Sequence, residues 1–173
     1  MLYLTHPKIL LTGLPRVGKT TLIKEAVARI APGKATGFYT TEILQGGVRQ
    51  GFALHGLNGE KGILAHVDLS TRWRVGKYRI DVPGFEAFLD RLDLWDPRFD
   101  CIVIDEIGKM EVFSNRFRDD VRKAADSDKN LLGTIALKGA GPIAEIKQRP
   151  DIRILEVTPS NRSKLLSKII ASE

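Results

Sequence analysis

Residues 13–20 read Gly-Leu-Pro-Arg-Val-Gly-Lys-Thr, the spacing G-x-x-x-x-G-K-[ST] of a phosphate-cradling loop. This octet constrains the fold more than any other stretch, because the loop works only between a buried strand and a helix. Gly13 and Gly18 allow the tight turn that aims successive backbone N–H groups inward at phosphate oxygens. A helix starting near Lys19 adds the partial positive charge of its N-terminus. Lys19 is placed to reach β- and γ-phosphates, and the Thr20 hydroxyl to ligate Mg²⁺. Both flanks are present. KILLTG (8–13) is a short apolar run ending in Gly, and Leu22, Ile23, Ala26, Val27 and Ile30 then recur on one helical face until APGK (31–34) stops it.

Further along, TGFYTTEI (36–43) and GGVRQGFAL (46–54) read as a β-hairpin turning at Gly46-Gly47, and GILAHV (62–67) as another strand. Phe85, Phe88, Leu89 and Leu92 predict an amphipathic helix over 83–94. FDCIVIDE (99–106) is a continuous apolar strand ending in two acids. Phe113, Phe117, Val121 and Ala124 predict a helix with Ser114 as N-cap. Strands are predicted at 130–137 and 152–158, with a short helix in 141–148 between them. Thr158-Pro159 predicts the N-cap and first residue of a last helix, whose apolar stripe is Leu165, Leu166, Ile169 and Ile170. Apolar strands alternating with helices indicate an α/β fold, a mainly parallel sheet covered on both faces, with a β-rich hairpin segment in the middle. No linker divides residues 1–173, so one domain is expected.

Ligands of such sheets sit beyond the carboxyl ends of the strands, where both the loop and the pair Asp105-Glu106 fall. Asp105 is the candidate partner of Thr20 in holding Mg²⁺. Glu106, at the strand tip, is the candidate base that orients and deprotonates a water for in-line attack. Asp-Glu-Ile-Gly also fits the D-x-x-G switch pattern, but no guanine-reading N/T-K-x-D follows Gly108. A guanine switch is therefore disfavoured. Lys109 either neutralises charge at the γ-phosphate or solvates the loop.

The net charge of +6, from 27 Lys+Arg against 21 Asp+Glu, suits a polyanionic ligand, but no block of five like charges marks a nucleic-acid track. No apolar run reaches the roughly 18 residues of a membrane span, and the first ten residues lack signal-peptide pattern. The single Cys101 excludes an internal disulfide framework, which points to a reducing cytoplasm. His6, His55 and His66 lack metal-ligand spacing.

Beyond the loop, GFYTTEI (37–43), RQGFAL (49–54), VGKYRIDV (75–82), CIVIDEIGKMEVFSNRF (101–117), GTIAL (133–137) and LEVTPSNR (155–162) carry a resemblance over nearly the whole chain. The chain resembles the small P-loop nucleoside-triphosphatases first described from thermophiles, also called cancer-related nucleoside-triphosphatases. The resemblance implies a RecA-like P-loop fold, Mg²⁺-dependent hydrolysis of nucleoside triphosphates with broad base tolerance, and a monomer. By matching positions, nucleotide contacts fall on Gly13, Leu14, Pro15, Arg16, Val17, Gly18, Lys19 and Thr20, with Thr21 next to them, and on Asp105, Glu106 and Gly108. The family's late pair falls on Asn161 and Arg162, either near the base or ribose or as the polar first turn of a helix. The chain departs from the family's usual Gly at Arg16, its usual Asp at Ser163 and its frequent acid at Thr41. Arg16 reads as a solvated loop side chain in preference to an internal arginine finger.

Hydrolysis with Lys19 and Glu106 as catalytic residues is the first reading. The alternative is a nucleotide or small-metabolite kinase on the same loop, with Arg72, Arg74 and Arg79 as lid candidates. The segment 70–79 reads equally as such a lid or as a surface loop and strand.

Overall fold

A computed structural model describes residues 2–30 and 32–172. Ala31, in the predicted helix stop, lies outside the described residues. The chain opens with β1 (Leu2–Leu4) and β2 (Lys8–Thr12), followed by α1 (Lys19–Ile30). Next come β3 (Ala35–Gln45), β4 (Val48–Gly56), β5 (Lys61–His66), β6 (Arg74–Val75) and β7 (Tyr78–Ile80). Helix α2 (Val82–Asp90), β8 (Cys101–Ile107), α3 (Asn115–Asp126) and β9 (Asn130–Ile135) form the middle. The chain closes with α4 (Pro142–Lys147), β10 (Arg153–Glu156), α5 (Arg162–Ile169) and β11 (Ile170–Ser172).

One sheet runs β10-β2-β9-β8-β3-β4-β5-β7-β6. The ladders from β10 to β3 are parallel, and those from β3 outward are antiparallel. This is the expected α/β architecture with its hairpin segment. Period-2 alternation sends successive strand side chains to opposite faces. Leu10, Ile102, Ile104 and Leu131 pack with Phe85 and Phe88 of α2, Phe117 and Val121 of α3, and Ile143 and Ile146 of α4. Ile9, Leu11, Cys101, Val103 and Leu132 pack instead with Leu22, Ile23, Ala26 and Val27 of α1 and Leu165 and Ile169 of α5. Phe38 anchors the first face, with its ring edge-on to Phe85 at 5.8 Å and Phe88 at 5.9 Å.

Three predicted boundaries move. Helix α2 begins at Val82, where Asp81 caps the Gly84 N–H, and stops at Asp90, four residues before the predicted end. Leu92 is buried from a turn, so its spacing reported burial and not helix. Helix α5 begins at Arg162 with Asn161 at the N-cap position, not at Thr158-Pro159. Ile170, placed in the last helical stripe, belongs to β11, which pairs antiparallel with β1. Neither β1 nor β11 was predicted. The cap at Ser114 is as expected, accepting from the Phe117 N–H at 2.9 Å.

Candidate active site

The loop leaves β2 at Thr12 and enters α1 at Lys19. Gly13 and Gly18 have φ of 147° and 105°, backbone that side chains rarely adopt. A Cβ on Gly13 would lie 2.5 Å from Val157 O, and one on Gly18 2.7 Å from Arg162 Cδ. The loop is thus packed closely against the β10–α5 connection. Lys19 Nζ donates to Gly13 O at 2.9 Å and Leu14 O at 2.8 Å, which holds the ammonium over the loop.

Strand β9 lies between β2 and β8, so the loop and the acid pair are two strands apart. They still meet. Thr20 Oγ1 donates to Asp105 Oδ2 at 2.7 Å, and Thr134 Oγ1, from β9, donates to Asp105 Oδ1 at 2.5 Å. Asp105 is buried, and burial pushes its carboxyl above the usual range although both hydroxyls favour the charged form. Thr20 and Asp105 therefore set two hard oxygen donors side by side at a helix N-terminus. Among the described residues no group of three or more His, Cys, Asp or Glu could cage an ion by itself. This donor set fits Mg²⁺, which takes one or two protein oxygens and completes its shell with waters and phosphates.

Glu106 is also pushed upward, first by burial and then by the charge of Asp105, with Lys19 opposing. A third acid, Glu111, belongs to the same wall of the cleft. It is buried in a 3-10 turn over Glu111–Phe113. A Cβ built on Gly108 would lie 2.9 Å from both Glu106 Oε1 and Glu111 Oε2. Twice that distance is the most that can separate the two carboxylates. Burial, then the charge of Glu106, holds the Glu111 carboxyl well above the usual range. A strand ending in Asp-Glu was the legible signal; a Glu five residues later, brought back by a tight turn, was not.

These groups line one cleft of about 790 Å³, the size of a small-ligand site. The loop side supplies Gly13, Leu14, Pro15, Arg16, Gly18, Lys19, Thr20 and Thr21. The acid side supplies Asp105, Glu106, Gly108, Lys109 and Glu111, and the hairpin adds Thr40, Glu42, Arg49 and Phe52. Of the predicted nucleotide-binding residues, Val17, Asn161 and Arg162 do not line it. Asn161 turns to its own backbone, with Nδ2 donating to Glu156 O and Oδ1 accepting from Thr158 N, both at 2.8 Å. Its amide folds the turn before α5, the second of the two places expected for it. Arg162 packs under the loop, with Nη1 3.5 Å from Val17 O.

Arg16 has a φ of 62° and an exposed side chain, as expected, but it is not free: Nη2 donates to Glu42 Oε2 at 2.9 Å. The lid candidates Arg72, Arg74 and Arg79 do not line the cleft. Arg72 stacks over Trp73, Arg74 donates to Gly76 O, and Arg79 donates to Thr71 O. Cys101 is a core thiol pushed up to about 12 by burial.

The chain has close relatives among known proteins. The family model described as NTPase matches residues 8–170. The chain is 46% identical over 166 residues to the nucleoside-triphosphatase THEP1 of Thermotoga sp. (strain RQ2), covering 95% of this chain and 94% of that one. It is 40% identical to the cancer-related nucleoside-triphosphatase of Homo sapiens, covering 94% of each. The crystal structure of THEP1 from the hyperthermophile Aquifex aeolicus superposes with a TM-score of 0.80 at 38% identity, covering 92% of this chain and 95% of that one.

Proposed function

The chain belongs to the NTPase family whose model spans residues 8–170, and from that premise we propose that it hydrolyses nucleoside triphosphates to nucleoside diphosphate and phosphate. The observation that carries the reading is the 2.7 Å hydrogen bond from Thr20 to Asp105. It joins the phosphate loop to the acid strand, with Glu106 in the same cleft.

Each residue then has a task set by its position. The loop N–H groups and the N-terminus of α1 bind the polyphosphate. Lys19 exchanges its two carbonyl acceptors for phosphate oxygens, a gain because those oxygens are charged. Thr20 and Asp105 would hold Mg²⁺, which when bound supplies charge neutralisation at the phosphates. Glu106 accepts a proton from the attacking water, and its upward-shifted carboxyl is a stronger base than an exposed one.

Broad base tolerance belongs to the same reading, supported by the absence of a guanine-reading pattern after Gly108. So do a monomeric state, which the family resemblance implies, and a reducing compartment, supported by the single cysteine. Among the described residues no helix is long and apolar enough to cross a membrane. Transfer to an acceptor is the weaker reading, because the three arginines proposed for a water-excluding lid are engaged outside the cleft.

Phosphate release from ATP, GTP, CTP and UTP, with and without Mg²⁺ and with no added acceptor, tests the assignment. Release that requires both a triphosphate and Mg²⁺ is expected. A protein that releases phosphate only when an alcohol or second nucleotide is added would be a transferase instead.

A further inference from the structure

Arg49, on β4, is the one arginine besides Arg16 on the wall of the cleft that holds Lys19 and Glu106. Its guanidinium is held from several sides. Nε donates to Tyr78 Oη at 2.8 Å and Nη1 to Glu42 Oε1 at 3.0 Å. The rings of Phe52 and Tyr78 face it at 5.1 and 5.5 Å. An arginine carries five N–H donors. Two are used here, and the other three have no acceptor among the described residues, while the side chain stays 38% exposed. Such a group is already oriented, and it reaches an anion without losing much rotamer freedom.

Its counter-ion is shared. Glu42 accepts from Arg16 through Oε2 and from Arg49 through Oε1. One carboxylate facing two guanidinium groups leaves surplus positive charge at the rim of the cleft. Stabilising a transferring phosphoryl group requires cations on more than one side of it, and Lys19 supplies only the loop side.

We propose that Arg49 is a further catalytic residue, donating from its free N–H groups to the terminal phosphate of the bound triphosphate. The inference rests on the hydrolytic reading above. In the step, water oxygen bonds to the γ-phosphorus, the bond from that phosphorus to the β–γ bridging oxygen breaks, and the water proton passes to Glu106. Arg49 keeps all its protons. It neutralises charge on the non-bridging oxygens as they pass between attacking and leaving groups. The chain thus carries its own arginine, positioned by Tyr78 and Glu42, and needs none from a partner.

The test is steady-state phosphate release with ATP and Mg²⁺ for the parent, Arg49→Ala and Arg49→Lys. It is paired with binding of a non-hydrolysable ATP analogue and of ADP with aluminium fluoride. Arg49→Ala is expected to lower kcat by about 10²- to 10³-fold. KM and analogue affinity should stay within about threefold. Affinity for ADP with aluminium fluoride should fall with kcat, because that complex mimics the transferring group. Arg49→Lys keeps the charge without the fork and should recover part of the loss, which a merely structural role would not produce. Unchanged kcat in a folded Arg49→Ala protein, or a rise in KM alone, overturns the proposal while leaving hydrolysis intact. A parent protein that releases no phosphate overturns both.

Discussion

Thr20 and Asp105, 85 residues apart in the chain, share a 2.7 Å hydrogen bond that bridges β9. The carboxylate receiving it is buried and accepts a second hydroxyl from Thr134. Burial still lifts its pKa, so the charge is held at a cost to the fold. Asp105→Asn removes the charge and keeps the shape. Its melting temperature at neutral pH in metal-free buffer should equal or exceed that of the parent. Phosphate release with Mg²⁺ should fall by about a hundredfold or more, since a carboxamide is a poor ligand for a hard cation.

Lys19 and Glu106 line the same cleft, and paired variants separate the tasks proposed for them. Lys19→Ala should weaken triphosphate binding at least about tenfold, the loss of one charge-assisted contact. Glu106→Gln should bind triphosphate like the parent and turn over about 10²- to 10⁴-fold more slowly. Titration with a fluorescent nucleotide and a phosphate-release assay measure the two effects independently.

Glu111 makes stability depend on pH. Its folded carboxyl lies well above the ordinary value of 4.5, so folding takes up a proton in the pH window between the ordinary value and the folded one. The stabilisation is complete below that ordinary value and is lost as pH rises toward the folded one. Glu111→Gln removes this dependence. Its melting temperature should exceed the parent's at pH 7 to 8, by about 2–4 °C for each kcal/mol gained, and the gap should close near pH 4. Thermal melts followed by circular dichroism across that range would show it.

Phe38, fully buried among Phe85, Phe88 and Phe117, is the aromatic anchor of one face of the sheet. Phe38→Ala should cost about 3–5 kcal/mol. Urea unfolding should show a lower midpoint with an unchanged m-value.

Much of this was legible because the signals were local. The loop octet, the apolar run 101–104 and the cap at Ser114 each carry their meaning within a few residues. The fold class followed from strand–helix alternation. The pairing of β1 with β11 was not legible, because two three-residue strands from opposite ends of the chain carry no periodicity of their own. Ile170 shows the same limit: its burial was read correctly and its helical state was not. Asn161 stayed open in the sequence because an amide can read a ligand or fold a turn, and its bonds to the backbone at 156 and 158 are not legible from spacing. Arg49 and Glu111 belong to the cleft through the antiparallel hairpin and a 3-10 turn, whose reach toward the loop depends on sheet twist and not on spacing.

Strand β3 pairs in parallel with β8 over Ala35–Phe38, then runs on to Gln45 as the partner of β4. A single ribbon thus starts beside β8 in the middle of the sheet and carries Thr40 and Glu42 onto the wall of the cleft that holds Lys19. The frame and the foundation are the same eleven residues, so the aperture cannot widen along that side without bending a strand rooted in the core.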